Sequence, residues 1–280
     1  MHYKIIHETT YIFDDDVFLE PHYLRFRPKQ TAFIELTSFS IALKSEPEGH
    51  SVIEDEEHNT IDFYWFEKLT TSLTIRVQSG LQTKEHNPFN FIVHPDSFNT
   101  LPFAYSAHQQ QILFASLQKQ AIAQELVDYA NAILDASHFN TIAFVTNLTS
   151  QIHQDFSVEY REDGPPLSPN STFKMKRGSC RDLSWMQIAL LRNYGIAARF
   201  VSGYFYFDME KPIYELHAWV EVFIPGTGWL GFDPSHGILT GNTHFAVASS
   251  AIPENTMPVS GGIRGSATSK LTTNLTIIKQ

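Results

Sequence analysis

The period of the apolar residues changes twice along this chain, and few folds accommodate both changes. Up to about residue 95 it runs in short stretches of β-branched and aromatic residues, with IDFYWF (61–66) and SLTIRVQ (72–78) the clearest. Turn-forming EPEGH (46–50) and EDEEHN (54–59) interrupt them, which predicts an antiparallel β domain, a sandwich, over residues 1–100. After the connector HPDSFNTLPFAY (94–105) the spacing becomes helical: Ile122, Leu126, Tyr129 and Ile133, then Ile142, Val145, Leu148 and Ile152. From residue 196 strands return as a meander of RFVSGYFYF, YELHAWVEVFI and GWLGFDP. Helices followed by a segregated antiparallel sheet predict an α+β domain over residues 101–280, with helices packed on that sheet. The tail, TSKLTTNLTIIKQ, alternates like a final strand and is free to join a sheet of either domain. At 280 residues, 42% hydrophobic and 13% aromatic, the chain has material for two cores.

The only cysteine, Cys180, sits in GSCRDLSWMQIALLRNYG (178–195), where a helix starting after Ser179 or Cys180 is apolar nearly all round and stops at Gly195. Lone cysteines are commonly small buried hydrophobes. A thiol at a helix N-terminus, however, faces free N–H groups and the positive end of the dipole, which favour the thiolate. Downstream, ELHAWVEVFIPGTGWLGFDPSHG (215–237) reads as a hairpin carrying a possible base, His217, and a possible orienting carboxylate, Asp233.

Hairpin register decides whether these two meet. A four-residue loop pairing Ile224 with Trp229 puts them on opposite faces of the sheet. A three-residue Pro225-Gly226-Thr227 loop pairs Ile224 with Gly228 and places Trp219 opposite Asp233, so that His217 is a diagonal neighbour on the same face. Singly, His217 also reads as a core histidine bonded to backbone, and Asp233 as an Asp-Pro turn.

The segments GSCRDLSWMQIALLRNYGIAARFVSGYF (178–205) and HAWVEVFIPGTGWLGFDPSHG (217–237) resemble the transglutaminase-like superfamily, and within it the bacterial transglutaminase-like cysteine protease group. The opening YKIIHETTYIFDDDVFLEPHYLRFRPK (3–29) and FYWFEKLTTSLTIRVQSGLQT (63–83) look like the N-terminal β domain those proteins carry. The resemblance implies Cys180 as nucleophile, His217 as general base and acid, and Asp233 as third member of a triad. Asp182 matches the family's acidic position after the cysteine, where a helix's first turn favours a carboxylate in any case. Relatives usually carry a glycine-arginine-aspartate element shortly after the position of His244, where this chain reads AVASSAIPEN (246–255).

The implied chemistry is attack of Cys180 on an amide or related acyl carbon, giving a thioacyl-enzyme resolved by water or by an amine. The Cys180 N–H is expected to serve the oxyanion. A protein-glutamine transamidase and a noncatalytic binding module are the competing readings. The local signature of papain-like proteases is missing around Cys180 and the third residue here is an aspartate, arylamine N-acetyltransferases place their cysteine near the N-terminus, and peptide N-glycanase relatives carry paired zinc cysteines.

A net charge of −10 argues against a nucleic-acid groove, and the partner expected is a peptide or protein substrate. The acidic runs DDD (14–16) and EDEE (54–57) read as solvated turns, and no metal or cofactor is implied. The N-terminus has no signal-peptide pattern and no window is long and apolar enough for a membrane helix, so a soluble cytoplasmic protein without membrane contact is expected. One cysteine excludes an internal disulfide. The loop 161–178 either lines a substrate cleft or simply crosses the surface, and Trp185 and Trp219 are expected in the core.

Overall fold

The computed structural model describes residues 1–161 and 164–280. In its N-terminal half, β1 (His2–Leu19), β2 (His22–Leu24), β3 (Ile34–Lys44), β4 (Gly49–Glu54), β5 (Thr60–Trp65) and β6 (Leu69–Thr83) follow one another. The helical segment holds α1 (Ala107–Ile112), α2 (Gln124–Ala136) and α3 (Thr141–Asp155). Next come β7 (Ser157–Val158), α4 (Pro169–Met175), β8 (Arg177–Gly178) and α5 (Cys180–Asn193). A second run of strands comprises β9 (Ala197–Phe207), β10 (Ile213–Ile224), β11 (Gly228–Asp233), β12 (Ile238–Leu239) and β13 (His244–Ser250). The chain closes with β14 (Val259–Ser260), β15 (Ile263–Arg264) and β16 (Ser269–Lys279).

Two antiparallel sheets form the N-terminal part. One runs β15-β1-β6-β3, with β16 also paired to β1; the other runs β14-β2-β5-β4. Alternation along β1 and β6 turns Val17, Leu19, Leu73, Ile75 and Val77 inward, where they share an apolar cluster with Leu24 of β2 and Tyr64 of β5. The tail therefore returns across the whole chain, because its alternating residues find an open edge on β1, in register from Tyr3 with Lys279 to Phe13 with Ser269. The acidic run at 14–16 differs from expectation. It lies inside β1, where the register with β6 shifts between Ile12 and Val17, so the three carboxylates stay exposed on a bulge rather than in a turn. Asp14 there accepts hydrogen bonds from the Thr268 N–H and hydroxyl.

The sheet of the C-terminal part, in the order β12-β11-β10-β9-β13, is antiparallel throughout, and α5 packs against it. Leu183, Met186, Leu190 and Leu191 of α5 join Ala198, Val220 and Val222 of the sheet, while Leu126 and Ile133 of α2 and Leu148 and Ile152 of α3 complete the cluster. This is the α+β architecture expected from the two changes of period. Trp185 is half-buried against the same cluster, and Trp219 is fully buried on the other face of β10, beside His217 and His244. Among the described residues, no helix is long and apolar enough to cross a membrane.

A third cluster joins the two halves. Tyr3, Ile5, Leu81 and Ile277 of the β1-containing sheet meet Tyr204, Tyr206, Phe245 and Val247 on β9 and β13. His7 is buried at this junction, its Nδ1 3.1 Å from the Tyr204 hydroxyl and its Nε2 3.2 Å from Thr9 Oγ1. With no carboxylate beside it, burial pushes the imidazole down to about 4 from the ordinary 6.5, so it is neutral in the folded protein. The unfolded chain then binds a proton more readily than the folded one. Stability from His7 is full above pH 6.5 and drains away as pH falls toward about 4. Between pH 7 and 4.5 the loss should be about 2–3 kcal/mol, and His7→Gln should flatten the dependence by that amount in urea unfolding. Equal pH slopes in the two proteins would refute it.

Candidate active site

Cys180 is the first residue of α5, and the local sequence fixes that start. Asp182 reaches back so that its Oδ2 accepts the Ser179 N–H at 2.7 Å and the Ser179 hydroxyl at 2.8 Å, closing a capping box around the cysteine. Its Oδ1 accepts Arg161 Nη2 at 2.6 Å and the Leu167 N–H at 2.7 Å, tying the upstream loop to the helix start. Gly178 is required here, because a Cβ would stand 2.7 Å from the Asp182 Cβ. Residues 165–178 are only partly loop: Ser168 caps α4, whose carbonyl-terminal Lys176 is left-handed at φ 54°. Glu162 and Asp163 of this loop lie outside the described residues.

The hairpin adopts the three-residue connection. Ile224 pairs with Gly228 and Val220 with Phe232, so the next pair in register is Trp219 with Asp233. His217 and Asp233 consequently share a face, and His217 Nε2 lies 2.9 Å from Asp233 Oδ2, both side chains buried. One turn into α5, the Ser184 hydroxyl donates to the Ala218 carbonyl at 3.2 Å and holds the helix start against β10 beside His217. Cys180 is half-buried and close enough to act on the His217 ring. The structure thus brings together all three residues singled out in the sequence.

Two further imidazoles reach the same carboxylate oxygen. His236 Nδ1 lies 2.7 Å and His244 Nε2 3.1 Å from Asp233 Oδ2, while Oδ1 accepts the N–H groups of Ser235 at 2.9 Å and His236 at 3.3 Å. Burial works against an ionised Asp233, yet the charge on His217 and hydrogen bonds from the three rings hold its carboxyl well below the usual range. For His217, burial works against the imidazolium. The Asp233 carboxylate first and Cys180 second outweigh it and hold the ring charged well above the ordinary histidine range. His244 is pushed down, by burial above all, and its Nδ1 faces Thr243 Oγ1 at 2.9 Å.

With Nε2 committed to Asp233, Nδ1 is the nitrogen of His217 left for other chemistry. Glu215 Oε1 lies 3.0 Å from it but out of line, so that among the described residues the buried Nδ1 has no hydrogen bond of good geometry. Glu215 precedes His217 by two residues on β10, and that spacing puts both on one face of the strand.

The transglutaminase-like superfamily core matches residues 127–234, which contain Cys180, His217 and Asp233, and the bacterial transglutaminase-like N-terminal region matches residues 3–82. The chain carries a transglutaminase-like superfamily core behind a bacterial transglutaminase-like N-terminal region. A similar curated protein is the uncharacterized YebA of Bacillus subtilis, 38% identical over 76 residues, which cover 23% of this chain and 10% of YebA. Another is the uncharacterized Mb2599c of Mycobacterium bovis, 31% identical over 118 residues, covering 38% of this chain and 37% of that protein. The matched region is therefore a tenth to little more than a third of these relatives' length. Among solved structures, a "putative cysteine protease" from Cytophaga hutchinsonii superposes over 100% of this chain and 91% of its own, with a TM-score of 0.72 at 18% identity. That likeness is one of fold.

Sequence reasoning about this transglutaminase-like chain missed Glu215, His236 and His244 as members of the site. For His236 a signal existed: an aspartate that accepts the N–H groups two and three residues on can bend DPSH so that its histidine returns to the carboxylate. His244 comes from β13, on the far side of β9, and no local pattern announces it.

Proposed function

We propose that the chain is a cysteine hydrolase of peptide or amide bonds, acting through a thioacyl-enzyme on Cys180. The observation that carries this reading is the buried His217–Asp233 pair, with the ring held charged beside the one thiol of the chain. In the charged ring the thiol proton already rests on His217 Nδ1, and Sγ attacks the acyl carbon as the thiolate of that ion pair. As the tetrahedral adduct collapses, the C–N bond breaks and the imidazolium returns its proton to the departing amine. Water then attacks the thioester with the imidazole as base, releasing the acid and restoring the thiol. Asp233 fixes the ring's orientation and favours its charged form. The Cys180 N–H, in the first turn of α5, has no intrahelical acceptor and is placed to meet the oxyanion.

Iodoacetamide at pH 7 should label Cys180 rapidly, and His217→Ala should slow labelling at least about tenfold. p-Nitrophenyl acetate should give a burst of one nitrophenolate per chain that Cys180→Ser abolishes. Labelling indifferent to His217, or no burst, would defeat the enzyme reading. A glutamine-containing peptide offered with and without a primary amine separates the two fates of the acyl group. Predominant amide product would make the chain a transamidase.

A further inference from the structure

We propose that Glu215, His217 and His236 form a binding site for a zinc-like divalent cation beside Cys180. The ligand atoms are already gathered: Glu215 Oε1 is 3.0 Å from His217 Nδ1 and 3.9 Å from His236 Nε2, and all three lie within 4.8 Å of one another. Ligands about 2.0–2.2 Å from a tetrahedral zinc stand roughly 3.3–3.6 Å apart, so the two Glu215 distances need shifts of only a few tenths of an ångström and the two rings must close to that separation from within 4.8 Å.

Asp233 settles which nitrogens are available. It takes the proton-bearing Nε2 of His217 and Nδ1 of His236 on a single oxygen, leaving the opposite nitrogen of each ring turned toward Glu215. A carboxylate behind each ligating imidazole is the arrangement that fixes tautomer and raises ligand basicity in metal sites. Nδ1 of His217 is buried without a hydrogen-bond partner among the described residues, and coordination to a cation would satisfy it. The His236 ring is held by stacking on Phe205, 4.1 Å between centroids. Side-chain exposures of 43% for Glu215 and 31% for His236 leave an entry path and an open fourth position for water. Two imidazoles and one carboxylate select zinc or a similar transition metal over calcium or magnesium. The neighbouring His217, Asp233 and His244 group is different, because its donors and acceptors are spent on one another in full burial.

A cation on His217 Nδ1 displaces the proton from that nitrogen and holds the lone pair that the thiol proton needs. Zinc therefore switches off Cys180, a consequence that rests on the proposed thiol chemistry, whereas binding itself does not. Zinc chloride titrated calorimetrically into chelator-stripped protein should bind at one site. Glu215→Gln and His236→Ala should each weaken it at least about tenfold, with His58→Ala, at the exposed Glu54 pair, leaving it unchanged. Glu215 is partly exposed, so its variant should keep the wild-type melting temperature. Cobalt(II) should give a visible absorption that Glu215→Gln loses, and Cys180→Ser should retain wild-type zinc affinity. Absence of saturable binding, affinity indifferent to both ligand variants, or affinity lost in Cys180→Ser would each overturn the site. If zinc binds as described yet fails to slow iodoacetamide labelling in the wild type, the metal site stands and His217 is not the base for the thiol.

Discussion

Asp233→Asn is expected to lower the rate of Cys180 acylation by about three to four orders of magnitude and to destabilise the fold by about 3–5 kcal/mol. Both effects follow from the number of donors that converge on one carboxylate. Oδ2 faces three imidazole nitrogens, and Oδ1 accepts two backbone N–H groups. An amide of the same shape has one acceptor atom and one donor. Oriented to accept from Ser235 and His236 N–H, it turns its NH₂ toward three rings that must then become acceptors. The opposite orientation sets the NH₂ against the backbone donors, which have no second tautomer. The first orientation is favoured, and it drives the His217 proton from Nε2 to Nδ1, where the lone pair for the thiol should be. Burial makes the penalty large, since neither Asp233 nor His217 can call on water. The p-nitrophenyl acetate burst rate and urea unfolding read the two effects separately. An Asp233→Asn protein that acylates at the wild-type rate while stably folded would remove the carboxylate from the mechanism.

That convergence marks where sequence legibility stopped. The start and stop of α5 were readable because the capping residues, the apolar face and Gly195, left-handed at φ 76°, are all local. The hairpin was readable as a choice between two registers, and the glycine-containing three-residue loop resolved it. What could not be read were contacts set by strand order. Nothing near His244 says that β13 crosses to the outer side of β9, and that crossing delivers its ring to Asp233. The tail strand is similar. Its alternation announced a strand but not that β1 had an open edge for it. The DDD run failed for a different reason: charge density signals exposure, and a bulge exposes side chains as well as a turn does.

Asp182→Ala should cost about 3–4 kcal/mol, although Asp182 touches neither the thiol nor the imidazole. Its carboxylate makes four short contacts, and only one of them, to Arg161, is an ion pair. Arg161 is 31% exposed, so its guanidinium can turn to water when the partner is lost. The Ser179 N–H, hydroxyl and Leu167 N–H have less freedom, because Ser179 is buried beneath Gly178 and the helix start. Most of the cost therefore belongs to the orphaned donors, and the double variant Asp182→Ala/Arg161→Ala should recover less than about 1 kcal/mol. Recovery of most of the loss would instead make Asp182 chiefly an ion-pair partner. Since these same bonds place the first turn of α5, slower iodoacetamide labelling of Cys180 should accompany the loss of stability, and Asp182→Asn, which keeps two of the acceptor contacts, should fall between the two proteins in both measurements.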